Sequence, residues 1–180
     1  GTTYLHGTSN ATAMATRTAD HIFNVLETLQ AVDGEPPFAS AEYHPVLTKA
    51  LLVHAATWGP MRDGLTRAIV GGEDLTRRAI SQLLGYGAVD LGRVISATTT
   101  RVLLLGAGSI TADQRHRFEL PLPGSLAATT DWRRLTLTLA WLSPVNTATR
   151  RHRMARLSFE PPRQPLGVDR LEAEARVSRN

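Results

Sequence analysis

The sequence predicts a mainly helical first half, residues 1–97, followed by a β-sandwich-like domain over residues 98–180. Three observations carry that division. Apolar residues in the first half recur at i, i+3, i+4 and i+7, the spacing of one helix face. After Thr98 they alternate with polar residues, the period of a half-buried strand. The balance of charge reverses at the same place. Residues 1–100 hold seven basic and nine acidic side chains, and residues 101–180 hold thirteen and seven, so a boundary is expected near Thr98-Thr99-Thr100.

The helical part starts near Ser9. Ile22, Val25, Leu26 and Leu29 define one buried stripe on a helix running to about Gln30. Ala11, Ala13 and Ala15 are small enough for the first turns to pack closely against neighbouring backbone. Asp33-Gly34 ends the helix and Glu35-Pro36-Pro37 reads as loop. Val46 to Thr57 forms a second, more uniformly apolar helix, stopped by Gly59-Pro60. Gly71-Gly72 reads as a flexible loop; no Lys-Ser or Lys-Thr follows it, so it is no phosphate loop. Asp74 is placed to cap a third helix, Leu75 to Leu84.

The second half reads as short strands separated by Gly and Pro turns. Arg101 to Leu105 is β-rich and ends at Gly106-Ala107-Gly108. Arg115 to Leu120 alternates until Pro121 and Pro123. Arg134-Leu135-Thr136-Leu137-Thr138-Leu139-Ala140-Trp141 alternates for eight residues, with leucines expected inward and threonines outward. Ala155 to Glu160 repeats the pattern, and Leu171 to Val177 is open between strand and helix. Several short strands with such turns suggest a sandwich.

Composition narrows the function classes. A hydrophobic fraction of 42% with 20% charged residues fits a globular chain of one domain or two small ones. No apolar run is long enough to span a bilayer, so no membrane partner is expected. The absence of cysteine excludes disulfides and thiolate metal sites, and His, Asp and Glu show no metal-ligand spacing such as H-E-x-x-H. No cofactor is expected. The chain begins at Gly1 without methionine, which reads as a processed or cut piece. Localisation stays open between secreted and cytoplasmic.

The residues with the clearest chemical promise are Gly7-Thr8-Ser9-Asn10-Ala11. Ser9 lies between a glycine turn and an alanine-rich helix. A hydroxyl there is lifted toward solvent, and the unpaired N–H groups of a helix start favour negative charge developing beside it. The structural alternative is that Thr8 or Ser9 simply caps the helix.

Three segments in order strengthen the chemical reading. Gly7-Thr8-Ser9-Asn10-Ala11 resembles the nucleophile motif of the subtilisin-like serine proteases. His44-Pro45 with Val46 to Ala56 resembles the penultimate helix of that family. Leu84-Gly85-Tyr86-Gly87-Ala88-Val89-Asp90 with Leu91 to Ile95 looks like its closing Gly-Tyr-Gly segment and short helix. The resemblance covers residues 1–97. It implies an α/β subtilase catalytic-domain fragment, mostly C-terminal helices, with a β-rich domain appended.

The resemblance also implies roles. Ser9 would be the nucleophile, its backbone N–H one arm of the oxyanion hole, Gly7 and Thr8 the supporting turn, and Asn10 the leaving-group side. Aspartate, histidine and oxyanion asparagine would all precede the serine, yet only eight residues do here, so the isolated chain is expected to be inactive. His6 sits in the tight turn, His21 lies over three turns down the same helix, and His54 reads as a packed or capping side chain. Ala13 stands where the family favours proline, a benign departure, and Asn10 stands where methionine is frequent, which is expected to make the site less open to oxidation and can alter preference beyond the cleaved bond. Implied partners are a polypeptide substrate and an upstream half of the catalytic domain, or a second copy, because the apolar helix faces need cover. The alternative is a non-catalytic basic module for nucleic acid or protein docking, drawn from Arg150-Arg151-His152-Arg153 and Arg156. No aromatic lies within that cluster to stack on bases. Trp132, Trp141 and Phe159 read as core rather than as a binding platform.

Overall fold

A computed structural model of the chain describes residues 7–29, 40–69, 73–96, 98, 101–118, 134–145, 147–148, 155 and 157–158. Its elements are α1 (Thr8–Thr28), α2 (His44–Ala55), β1 (Ala56–Thr57), α3 (Met61–Ala68), α4 (Glu73–Leu84), β2 (Ala88–Val89) and α5 (Gly92–Ile95).

The centre is a crossing of α1 on α2. Ile22 and Leu26, one turn apart on α1, meet Leu47 and Leu51, one turn apart on α2. Ile22 is 1% exposed and Leu26 fully buried, and burying each such side chain contributes roughly 1.5–3 kcal/mol. Of the expected α1 stripe, Val25 is half-buried and Leu29 exposed, because the chain leaves the helix at Leu29 with extended backbone.

Only the second half of α1 belongs to this core. Residues 8–17 are exposed on every side, including Ala11, Ala13 and Ala15, so the expected close packing of these alanines is not formed among the described residues. Ala11, Ala13 and Ala15 favour the helix there by their intrinsic propensity. Thr12 and Thr16 donate their hydroxyls to the carbonyls of Thr8 and Thr12, at 2.8 and 2.9 Å, and Thr18 does the same to Met14 at 2.9 Å. These side chains thereby satisfy themselves on their own helix.

The second expected helix begins two residues early, at His44, with Pro45 in its first turn where a missing N–H costs nothing. It ends at Ala55, and the next two residues become β1, paired antiparallel with β2 through Ala56–Val89 and Thr57–Ala88. Gly87 makes that pairing feasible. Its φ is +99°, and a Cβ there would lie 2.5 Å from the Thr57 carbonyl carbon. Trp58 Nε1 donates to the Gly85 carbonyl at 2.9 Å, tying the other side of the same corner. Asp90 then donates its N–H to Ala55 O at 3.1 Å, and its Oδ1 accepts from Gly92 N at 3.2 Å, opening α5.

Two helix expectations need correction. Residues after Gly59-Pro60 form α3, eight residues with none buried. Asp74 lies inside α4, which starts at Glu73, so it does not precede the helix as its cap.

Beyond residue 98 the chain joins the helical core. Leu103, Leu105 and Ala107 pack against the Ile22–Leu51 cluster, while Val102 and Leu104 face outward. The chain then reverses. Thr111 N–H donates to Gln114 Oε1 at 2.9 Å, Gln114 N–H to Thr111 O at 3.2 Å, and Asp113 takes φ +64°. Across the reversal the Phe118 ring lies over Gly106 and the His116 ring over Gly108, aromatics covering the backbone that glycines leave bare. The isolated bridge Thr98–Arg101 precedes it.

No sandwich is formed among the described residues. Residues 101–110 and 134–144 are extended without a strand ladder, and the expected strands at 155–160 and 171–177 fall wholly or mostly outside the described residues. The alternation over 134–141 is real but reversed. Thr136, Thr138 and Ala140 are half-buried, whereas Leu135, Leu137 and Leu139 are 42%, 38% and 48% exposed. On the inward side, His54 of α2 meets this strip, its Nδ1 3.0 Å from Thr138 Oγ1.

Candidate active site

Ser9 is the second residue of α1 and is exposed, as are Gly7, Thr8 and Asn10. The helix cap is Gly7, and no side chain caps the first turn, so neither Thr8 nor Ser9 serves as an N-cap. Gly7 has φ 164°, extended backbone open to any residue, so its conformation does not require glycine. The Gly7 carbonyl accepts the first helical bond, from Ala11 N at 3.3 Å. N–H groups earlier in α1, Ser9's among them, have no partner within the helix, and no acidic residue occupies the first turn to compete for them.

A shallow open furrow runs from Ser9 down α1 past Thr12 and Thr16 to Arg17 and Asp20. It offers a hydroxyl at its upper end and one charge of each sign at its lower end. Among the described residues, the base that a serine nucleophile needs is not beside it. No histidine hydrogen-bonds Ser9 among the described residues. His21 is exposed on the same helix, twelve residues on, about 18 Å along the axis at ~1.5 Å per residue. His54 is engaged with Thr138, and His116 Nε2 with the Ser109 carbonyl at 3.0 Å. His44 is buried, edge-on to the Phe23 ring at 5.0 Å. His6 and His152 lie outside the described residues, as do Arg150, Arg151, Arg153, Arg156, Trp132 and Phe159.

The arrangement therefore presents a nucleophile-type hydroxyl and helix N–H donors, without a base or an orienting carboxylate in hydrogen-bonding contact. Among the described residues no three His, Asp or Glu side chains converge to hold a metal ion, and no helix is long and apolar enough to cross a membrane. Sequence reasoning singled out Ser9 from its motif, and the structure places it, exposed, in the first turn of α1. It missed the His54–Thr138 contact, whose partners stand 84 residues apart. The Gly85-Tyr86-Gly87 segment does have a local conformational requirement: Gly85 and Gly87 both take positive φ, +57° and +99°, on the way from α4 into β2. No protein-family model, curated protein or solved structure matches the chain.

Proposed function

We propose that this chain is part of a subtilisin-like serine endopeptidase and contributes its nucleophile, Ser9. The observation that carries the reading is the exposed Ser9 hydroxyl in the uncapped first turn of a 21-residue helix. In the reaction, Ser9 Oγ attacks the scissile carbonyl carbon while a histidine supplied from outside this chain removes its proton. The tetrahedral oxyanion takes a hydrogen bond from the Ser9 N–H, with an asparagine from the same missing half completing the hole. The histidine returns the proton to the leaving amine, and water then cleaves the acyl-enzyme. Asn10, the next helical residue, borders the leaving-group side.

The bare first half of α1 supports the need for a partner that brings these groups. Among the described residues nothing covers residues 8–17, and Met14 among them is 73% exposed. The subtilase-fragment fold, with residues 98–180 as an appended β-rich domain, belongs to the same proposal. The rival basic module draws on the +6 charge of residues 101–180, and its arginine cluster lies outside the described residues.

The test is covalent labelling by a fluorophosphonate. The chain alone should stay unlabelled, the chain joined to its upstream catalytic half should react, and Ser9→Ala should remove the label. Labelling that persists in Ser9→Ala would place the nucleophile elsewhere.

A further inference from the structure

A cavity of about 370 Å³ opens between the second half of α1, α2, α5 and the extended residues 101–105. Its walls are apolar: Val25 and Leu26 from α1, Leu51 from α2, Val94 from α5, and Leu103 and Leu105 from the extended segment. Wall groups from four chain segments make it concave, unlike the open furrow beside Ser9. Part of its lining is polar, namely Ser96, Thr98 and Arg101. These residues are neighbours in space, because Thr98 and Arg101 exchange two backbone hydrogen bonds of 3.2 and 3.4 Å. Arg101 is the one charged residue among the described residues of the lining.

An apolar pocket with a few convergent polar groups is the usual form of a small-molecule site, and about 300–1,000 Å³ is the usual size. A lone guanidinium at the edge of such a pocket selects for an anion, and its planar fork suits a carboxylate. At roughly 30 Å³ per group, the volume a water molecule occupies, the space holds about twelve heavy atoms. We propose that this cavity binds a medium-chain aliphatic carboxylate of the size of decanoate. The tail lies against the half-buried Val25, Val94, Leu103 and Leu105, and the head group meets Arg101 and the hydroxyls beside it. This site is separate from Ser9, and its test is independent of any protease activity.

The experiment is isothermal titration of the full chain, below micellar concentrations, with hexanoate, octanoate, decanoate and decanol. Saturable one-to-one binding should strengthen about fourfold for each added methylene, the gain that hydrocarbon burial gives. Arg101→Gln should weaken decanoate by about tenfold or more while leaving decanol unchanged, as loss of a charge-assisted contact requires. Val25→Phe should fill the cavity and abolish both, with its helical circular dichroism retained. Arg101 is exposed and its replacement does not disturb the core, so that arm decides the matter even if Val25→Phe fails to fold. Absence of saturable uptake, indifference to chain length, or equal decanoate affinity in Arg101→Gln would overturn the proposal. So would a concentration-dependent dimer broken by Val25→Phe with no carboxylate bound, which would make a second copy the occupant.

Discussion

His54 Nδ1 and Thr138 Oγ1 lie 3.0 Å apart, fastening an extended strip to the α2 helix across 84 residues of chain. The contact is part-buried, so its removal should be measurable. Thr138→Val keeps the shape and deletes the hydroxyl; it should lower stability by about 1 kcal/mol. His54→Ala should cost at least as much, and the double variant less than the sum, because both singles break one bond. Urea titrations of the four proteins give the coupling. Strict additivity would mean that the pair does not interact.

The same bond lies on the inward side of the 134–141 strip. Leu139 is 48% exposed while Thr138 is half-buried. Leu139→Ser should therefore change stability by no more than about 0.5 kcal/mol, the usual range for exposed positions. A loss of 2 kcal/mol or more in thermal or urea unfolding would restore the leucines-inward arrangement that bare alternation suggests.

That reversal shows where the sequence was legible and where it was not. The α1 helix could be read because Ile22 and Leu26 are spaced for a single face, and their burial is the largest local effect on that helix. Alternation over Leu135–Leu139 predicts a strand, and no strand forms there. Nor does alternation tell which face packs; the inward Thr138 meets His54, a residue far away in sequence. Helix α3 went unread although its residues are amphipathic, because it is short and carries Gly64 in its middle. The β1–β2 pair is two residues long on each side, too short for any period to register. At the candidate site, the helix beginning beside Ser9 was legible in its alanine-rich run, while the extended backbone of Gly7 was not, because glycine permits a sharp turn without requiring one.

Gly87 is a position where glycine is required. Gly87→Ala would force a side chain onto the Thr57 backbone at φ +99°, whereas Gly59→Ala adds a Cβ in open space at φ +52°. The first should cost roughly 1–3 kcal/mol and loosen β1 from β2; the second should cost less, only the left-handed preference. Trp58 follows Thr57 directly and donates to Gly85, so its fluorescence reports this corner. Equal effects of the two substitutions would show that the close approach to Thr57 does not matter.

Core energetics should follow the α1–α2 crossing. Leu26 has no exposed surface and Leu29, three residues later, is 37% exposed. Leu26→Ala should destabilise by about 2–5 kcal/mol, through lost burial and the void left against Leu47 and Leu51. Leu29→Ala should cost well under half of that. Differential scanning calorimetry of the two variants compares them directly, and similar melting temperatures would contradict the placement of the core.

Ser9 offers a separation of function from stability. A serine that caps a helix holds its N-terminal N–H groups, and replacing it by alanine costs typically about 1 kcal/mol. Here the cap is Gly7, the first turn has no side-chain cap, and Ser9 already lies inside the helix. Alanine is the better helix former at such a position, so Ser9→Ala should leave unfolding unchanged within about 0.5 kcal/mol, or raise stability slightly. Thr8→Ala removes a side chain that likewise caps nothing and should behave similarly. The proposed protease role requires that this thermodynamically silent change erase fluorophosphonate labelling in the assembled enzyme. A loss near 1 kcal/mol in urea titration of Ser9→Ala, with labelling retained, would return the hydroxyl to a capping role and remove the chemical reason for its exposure.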